Sequence, residues 1–313
     1  MPMRNIFKEF ETKWGFLKTQ HGFRRAPMLT TIRLVSWLIR CLLHRAAVLK
    51  LRRWDVRMFL PANWRGFGKF IFVFRENYEP ELTHLEKILS PGKVFIDAGA
   101  NFGIYTLVAS KLVGETGRVV AFEPTTQSFS TLTQNVALNG LTNVLTLSVA
   151  LSEKPGRAWL YHGPDPVRNS LGKAPSWGGE AEEVVTDSLD NMFQQGLIER
   201  VDVIKIDVEG AEELVLRGAT NILKFMHPVI IFEINPETSA CLGLSAHGAS
   251  ELLKSLGYEF LILDEHARGY ASESRPPYFN VVAVPGRSSG EFSRLATCSN
   301  SRDEFSRKEM GHR

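Results

Sequence analysis

Five short apolar runs in this 313-residue chain each end in an acid: Asp97, Glu123, Asp207, Glu233 and Asp264. Carboxylates brought to one place can take a proton from a hydroxyl, grip ribose hydroxyls, face a cation or ligate Mg²⁺. A single acid after a buried run means little, because helix caps and loop ion pairs use the same residues. Asp264 is read that way. The fourth run is different, because Lys205 lies inside it, two residues before Asp207 and four before Glu209. A lysine within an apolar run is unfavourable unless paired. Asp207 and Glu209 are the obvious partners. They make either a buried structural ion pair or a charged floor in a cleft, and their place at the strand end points to the cleft.

A second constellation follows the first run, Asp97-Ala-Gly99-Ala-Asn101-Phe-Gly103. Gly99 and Gly103 permit a tight turn and a close backbone approach to a ligand. The dinucleotide fingerprint would need glycine at Asn101, and no Gly-Lys-Ser/Thr marks a phosphate loop. Glu123 lies 20 residues after Gly103, where an acid can accept both hydroxyls of a bound adenosine. Asp97 leads the turn, where a dinucleotide would place its pyrophosphate, so the ligand there is cationic. Adenosine joined to a cationic amine and a sulfonium describes S-adenosylmethionine.

These residues need a frame. From Lys93 onward, near-continuous apolar runs (94–96, 119–122, 144–149, 201–206, 229–232, 260–263 and 281–284) alternate with helical segments near 104–113, 126–138, 210–224 and 246–256. That is the pattern of strands covered on both faces. It predicts an α/β, doubly wound, mostly parallel sheet. No long helix separates the last two runs, so the sheet is expected to end in an antiparallel hairpin. Residues 153–186 interrupt the alternation and read as loops and short strands. Before the sheet, 29–52 read as an amphipathic helix, 56–75 as a hairpin with Phe70, Phe72 and Phe74 on one face, and 79–89 as a helix.

Net charge is +3, but it is unevenly spread: residues 1–57 hold 13 Lys/Arg and 3 Asp/Glu, the remainder 24 and 31. A +10 arm on a −7 body suggests an anionic partner for the arm. The domain reading is a basic amphipathic extension over 1–57, an α/β domain over 58–285 and a disordered tail over 286–313. Three dispersed cysteines and the lack of an 18-residue run that is both uncharged and predominantly apolar point to the cytoplasm, with no disulfide framework or membrane span.

The segments VFIDAGANFGIYT, AFEP, LNGLTNV, VALSEKPG, VDVIKIDVEGAEELVLRGA and IFEIN closely resemble the FkbM family of S-adenosylmethionine-dependent methyltransferases over roughly residues 76–285. The resemblance implies a class I, Rossmann-like methyltransferase sheet. It implies that Asp97, Gly99, Asn101 and Gly103 cradle the methionine portion of the cofactor, that Glu123 binds ribose, and that Pro124 lies against adenine. Ala150 and Leu151 would border the adenine ring, with core packing an equal reading, and Tyr78 and Glu79 would close over the cofactor. The family's acceptors include hydroxyls of sugars, glycolipids and natural products.

Together these readings predict methyl transfer to a hydroxyl of a small-molecule or glycan acceptor. Asp207 or Glu209 would act as base or orienting group, Lys205 would lie beside them, and Glu233 is the second candidate base. His162, His227, Tyr161 and Arg168-Asn169-Ser170 are further acceptor-side candidates. Trp159 and Trp177 could stack on a sugar, though core packing is their default. Spacing allows Mg²⁺ on Asp207, Glu233 and Asn235, but ordinary hydrogen bonds to substrate are the favoured reading, and the metal is left unknown. The competing class is a catalytically inactive cofactor-binding scaffold recruited to a membrane or glycan assembly. Nucleic acid is disfavoured by the acidic body. The helix of the arm reads first as one packed on the main domain, the commoner case, and second as a peripheral contact with an anionic membrane at its inner face.

Overall fold

The computed structural model describes residue 23 and residues 26–64, 66–78, 81–163, 169–172, 180–262 and 279–286. Contacts divide the chain into two units, 1–80 and 81–313. That division falls later than the change of charge at residue 57.

The first unit opens with helix α1, Pro27–Leu42, which begins on a proline suited to a helix's first turn. It stops ten residues short of the expected 29–52 helix. His44 takes a positive φ of 51°, which ends the helix, and Ala47–Leu51 forms strand β1 instead. β1 pairs antiparallel with β2, Val56–Leu60, in the register Ala47↔Leu60. Ala47, Leu49, Leu51, Val56, Met58 and Leu60 turn inward. The expected second half of the hairpin is helix α2, Gly68–Phe74. Phe70 and Phe74 stack at 6.3 Å, the i,i+4 spacing of a helix, which the i,i+2 reading of the three phenylalanines concealed. Trp37 of α1 packs on Phe72 of α2 at 5.0 Å.

The second unit begins with α3, Glu81–Ile88. Its main sheet comprises β3 (Val94–Ala98), β4 (Arg118–Phe122), β5 (Val144–Leu147), β10 (Val203–Ile206), β11 (Val229–Ile234), β12 (Tyr258–Ile262) and β13 (Phe279–Pro285). The order across the sheet is β12-β13-β11-β10-β3-β4-β5, and only β13 runs against the rest. The expected terminal hairpin is present, with its second strand wedged between β11 and β12. Helices α4 (Ile104–Val113) and α5 (Thr126–Leu138) connect the first three strands at the expected positions. The expected helix over 210–224 is two, α7 (Glu212–Arg217) and α8 (Thr220–Phe225). Between them, a Cβ on Gly218 would overlap the Ser152 carbonyl, so the chain passes too close there for a side chain.

The interruption after β5 folds as its own four-stranded sheet, β6-β9-β7-β8. Its strands are β6 (Ala150–Leu151), β7 (Gly156–His162), β8 (Asn169–Ser170) and β9 (Ala181–Asp187). Helix α6, Leu189–Gln194, then leads toward β10, capped by Ser188 Oγ accepting from Asn191 N. Helices α9 (Pro236–Cys241) and α10 (Gly248–Ser255) complete the unit. The apolar faces of β3, β4, β10, β11 and β13 form one core with α6, α7, α8 and α10. The expected tail beyond 286 lies outside the described residues.

Candidate functional site

In a doubly wound sheet, ligands bind beyond the carboxyl ends of the strands, where the winding reverses. Here the chain winds from β3 through β4 to β5, then resumes on the other side of β3 with β10 and β11. The reversal lies between β3 and β10. The strands that carry Glu233, Asp207, Asp97 and Glu123 are the four neighbours β11, β10, β3 and β4. The sheet therefore gathers four of the five acids in one row along this edge. Asp264 lies outside the described residues.

On the β3/β4 side each carboxylate is buried and held. Asp97 Oδ2 accepts from Thr106 Oγ1 at 2.5 Å, while Asp97 Oδ1 is buried without a hydrogen-bond partner among the described residues. Burial raises the Asp97 carboxyl above its ordinary value, against the opposing charge of Lys205. Glu123 Oε2 accepts from Asn101 N at 2.9 Å, and Oε1 from Thr125 N at 2.9 Å and Thr125 Oγ1 at 2.5 Å. Burial raises this carboxyl also, with those bonds opposing. Glu123 thus fixes the turn. Gly99 N and Ala100 N both donate to Phe122 O, and Asn135 Nδ2 to Phe102 O, which ties the turn to β4 and α5.

The two glycines make the expected tight turn, at φ 79° and 90°, and also serve packing. A Cβ on Gly99, at φ +79°, would overlap the Asp207 carbonyl; one on Gly103 would strike the Leu132 side chain. Both close approaches are to protein, so the glycines let β3's turn pack against β10 and α5. Asn101 takes φ 50° and leaves its own Oδ1 buried without a partner among the described residues. Two orphaned acceptors, on Asp97 and Asn101, therefore flank the turn. A cationic amine satisfies both, so the residues fit the methionine portion of S-adenosylmethionine.

The β10/β11 side is crowded with like charge. Lys205 is buried, pairs in register with Asp97, donates to Asp207 Oδ2 at 2.8 Å, and stands 4.4 Å over the Tyr105 ring. Glu209, at φ 50°, accepts on its carbonyl from Ser170 Oγ at 2.6 Å. Glu212 is buried, and its Oε1 accepts from Val208 N and Gly210 N, both at 3.2 Å. Burial pushes its carboxyl to about 7. Burial, then Asp207, Glu209 and Glu212 in turn, push Glu233 to about 9, against a bond from Asn235. Both causes favour the protonated form of Glu233. Asn235 caps α9 through Thr238 N and reaches Glu233 Oε2 only at 3.5 Å. Among the described residues no group of three or more His, Cys, Asp or Glu is disposed to hold a metal ion.

The remaining candidates separate. Leu151 is part of the main core, and Ala150 packs with Leu160 and Val184. Pro124 follows Glu123 at the half-buried start of the α5 approach. Tyr78 belongs to the first unit, its ring 6.2 Å from Phe67; Glu79 lies outside the described residues. His227 precedes β11, at the opposite edge of the sheet from the acids. His162 Nδ1 lies 3.0 Å from Asn169 Oδ1 and Nε2 lies 3.4 Å from Glu182 Oε1, which makes it a tie within the small sheet. Trp159 is not core: 57% of it is exposed, on the outer face of β7. Arg168 and Trp177 lie outside the described residues. Sequence reasoning missed Thr106, Thr125, Tyr105 and Glu212. Each depends on how a loop or helix turns back over a strand end, and only the Glu212 position, inside the KIDVEGAE run, carried a signal.

The FkbM methyltransferase domain profile matches residues 97–260, which is 164 of the 313 residues and spans the whole row of acids. The chain belongs to the FkbM methyltransferase family. S-adenosylmethionine is therefore its cofactor. Among curated proteins, this FkbM chain is 29% identical over 178 residues to methyltransferase sdnD of Sordaria araneosa, covering 47% of this chain and 68% of that protein. It is 32% identical over 139 residues to the hexuronic acid methyltransferase AglP of Haloferax volcanii, covering 44% of this chain and 54% of that protein. The chain thus spans about half the length of the second relative. A solved FkbM methyltransferase from Methylobacillus flagellatus KT aligns with 70% of this chain and 53% of its own, at 14% identity and a TM-score of 0.42.

Proposed function

We propose that the protein methylates a hydroxyl of a sugar, glycolipid or related natural product. The observation that carries this reading is the row of carboxylates at the winding reversal, with the Lys205–Asp207 pair beside Asp97's orphaned oxygen. Asp97 and Asn101 hold the amine of the cofactor, Glu123 its ribose, and Pro124, Ala150 and Leu151 the adenine border. When bound, S-adenosylmethionine supplies a methyl group already activated on sulfur. The chain's own residues place and deprotonate the acceptor. Asp207 takes the hydroxyl proton as the oxygen attacks in line, Lys205 fixes the Asp207 carboxylate, and protonated Glu233 donates a hydrogen bond to a neighbouring acceptor oxygen. Glu209 orients the acceptor from the same loop.

Two observations support a sugar. A relative with 32% identity is named for hexuronic acid. The small sheet also carries an exposed aromatic, Trp159, on the face it shares with Tyr161 and Ser170, and Ser170 bonds the Glu209 carbonyl. An aromatic face suits the apolar side of a sugar ring. The test is methyl transfer from labelled S-adenosylmethionine to a panel of uronic acids, neutral hexoses and glycolipids, read by mass spectrometry. A single added methyl on a ring hydroxyl supports the reading. Tight cofactor binding without transfer to any of them favours the inactive-scaffold alternative.

A further inference from the structure

Helix α1 is inverted relative to a helix of a soluble domain. Each residue between Pro27 and Leu42 that stands exposed is apolar: Pro27, Met28, Leu29, Ile32, Val35, Leu38, Ile39 and Leu42. Leu43, which follows, is exposed too, and the large side chains of this stripe are 40–77% accessible. They recur at three- and four-residue spacing and so form one continuous face. Thr30, Arg33, Trp37 and Arg40 are turned the other way and satisfied. Thr30 Oγ1 donates to Ala26 O, Arg33 Nη1 to Val73 O at 3.0 Å, and Arg40 Nη1 to Ala46 O at 3.1 Å. Trp37 is buried with its Nε1 donating to Asn63 O. Soluble monomers rarely expose a contiguous apolar patch beyond a few hundred Å², and such a patch marks a docking surface.

Charge decides the occupant. The stripe ends at Leu43, and exposed Arg45, Lys50, Arg52, Arg53 and Arg57 follow at once, with Asp55 the lone acid among residues 26–57. The sequence before α1 adds six further Lys/Arg against two Glu. A second copy would bring +10 against +10, which opposes self-association. An anionic lipid surface complements both the apolar face and its basic surround. A helix of 16 residues is about 24 Å long, short of the ~30 Å hydrocarbon core, and no described helix is long and apolar enough to cross a membrane. We propose that α1 lies in the interface of an anionic membrane, its Met28–Leu43 face among the lipid chains and the following arginines and Lys50 among the headgroups.

The test is co-sedimentation of the full-length protein with vesicles of phosphatidylcholine alone or mixed with phosphatidylglycerol. Wild type should partition onto the mixed vesicles and much less onto neutral ones, and added salt should weaken the binding. Ile39→Glu/Leu42→Glu should lower partitioning by about tenfold or more while cofactor affinity and Tm hold. Met28→Ser/Leu42→Ser, at the most exposed positions, should act in the same direction and covers the case in which the charged pair fails to fold. Wild type remaining in the supernatant, or variants that pellet like wild type, would overturn the proposal. So would a dimer of wild type that the variants dissolve while vesicle partitioning stays unchanged, because the face would then join two copies.

Discussion

The two halves of the sheet edge use the same residue type in opposite ways. At β3 and β4, Asp97 is held by the Thr106 hydroxyl of the helix that follows its turn, and Glu123 by the backbone N–H groups of Asn101 and Thr125. At β10 and β11, burial and the neighbouring carboxylates raise the proton affinity of Glu212, beside Asp207, and of Glu233, beside Asp207, Glu209 and Glu212. A held carboxylate is a fixed binding group that changes little between ligand-free and ligand-bound states. A crowded set exchanges protons readily and is relieved by a ligand that donates one. On the proposed function, the first half recognises the cofactor and the second handles the acceptor's proton.

The sharpest break of that contrast is Asp207→Asn. It keeps size and most hydrogen bonding but removes the base, so methyl transfer should fall by about 10²–10⁴-fold. Tm should fall modestly, because buried Lys205 loses a charged partner. Full activity in both Asp207→Asn and Glu209→Gln would move the base elsewhere, and His162, the next candidate from the sequence, is already tied between Asn169 and Glu182.

Crowding has a thermodynamic signature. Glu233 at about 9 and Glu212 at about 7 bind protons more tightly folded than unfolded. The folded state therefore holds the extra protons above the unfolded value near 4.3. This contribution is neutral below that value, grows more unfavourable as pH rises, and levels off past about 9. Melting curves of the free protein should show Tm falling between pH 5 and 9. Glu233→Gln should flatten that fall and raise Tm at the alkaline end. An unchanged slope in the variant would show that Glu233 is not crowded.

The smallest effect belongs to the outer face of the small sheet. Trp159→Ala should raise KM for a sugar acceptor severalfold, with kcat and cofactor affinity little altered, as expected for loss of uniform binding. Steady-state kinetics on the acceptor found above would show it. A fall in kcat alone would place Trp159's role in the chemistry instead.

How much of this was legible beforehand divides along the same line. Strand–helix alternation located α4, α5 and all seven strands of the main sheet, because strands covered on both faces are written as continuous apolar runs. The row of acids followed from those strand ends. What sequence could not show was long-range contact. Gly99 read as a ligand-approach glycine, yet its missing Cβ leaves room for the Asp207 carbonyl, which is over 100 residues away. Glu212 received no role from the sequence, yet it clasps Val208 N and Gly210 N because the loop curls at Glu209. The helix expected over 29–52 holds as far as Leu42 and ends there: Ala47–Leu51 alternates, but its strand partner β2 was needed to make that alternation count. Trp159, assigned to a core by default, lies on a sheet face that the strand pairing leaves open.

The division of labour is tested most directly by calorimetric titration of S-adenosylmethionine into wild type, Glu123→Ala and Asp207→Asn. Charge-assisted bonds to ribose are each worth roughly 1.5–3 kcal/mol. Glu123→Ala also frees the Asn101 and Thr125 donors it holds, so its Kd should rise tenfold or more. Asp207→Asn should bind like wild type, and NAD and ATP should bind none of the three. Equal weakening in both variants, or an unchanged Kd in Glu123→Ala, would contradict the separation of a cofactor half from an acceptor half.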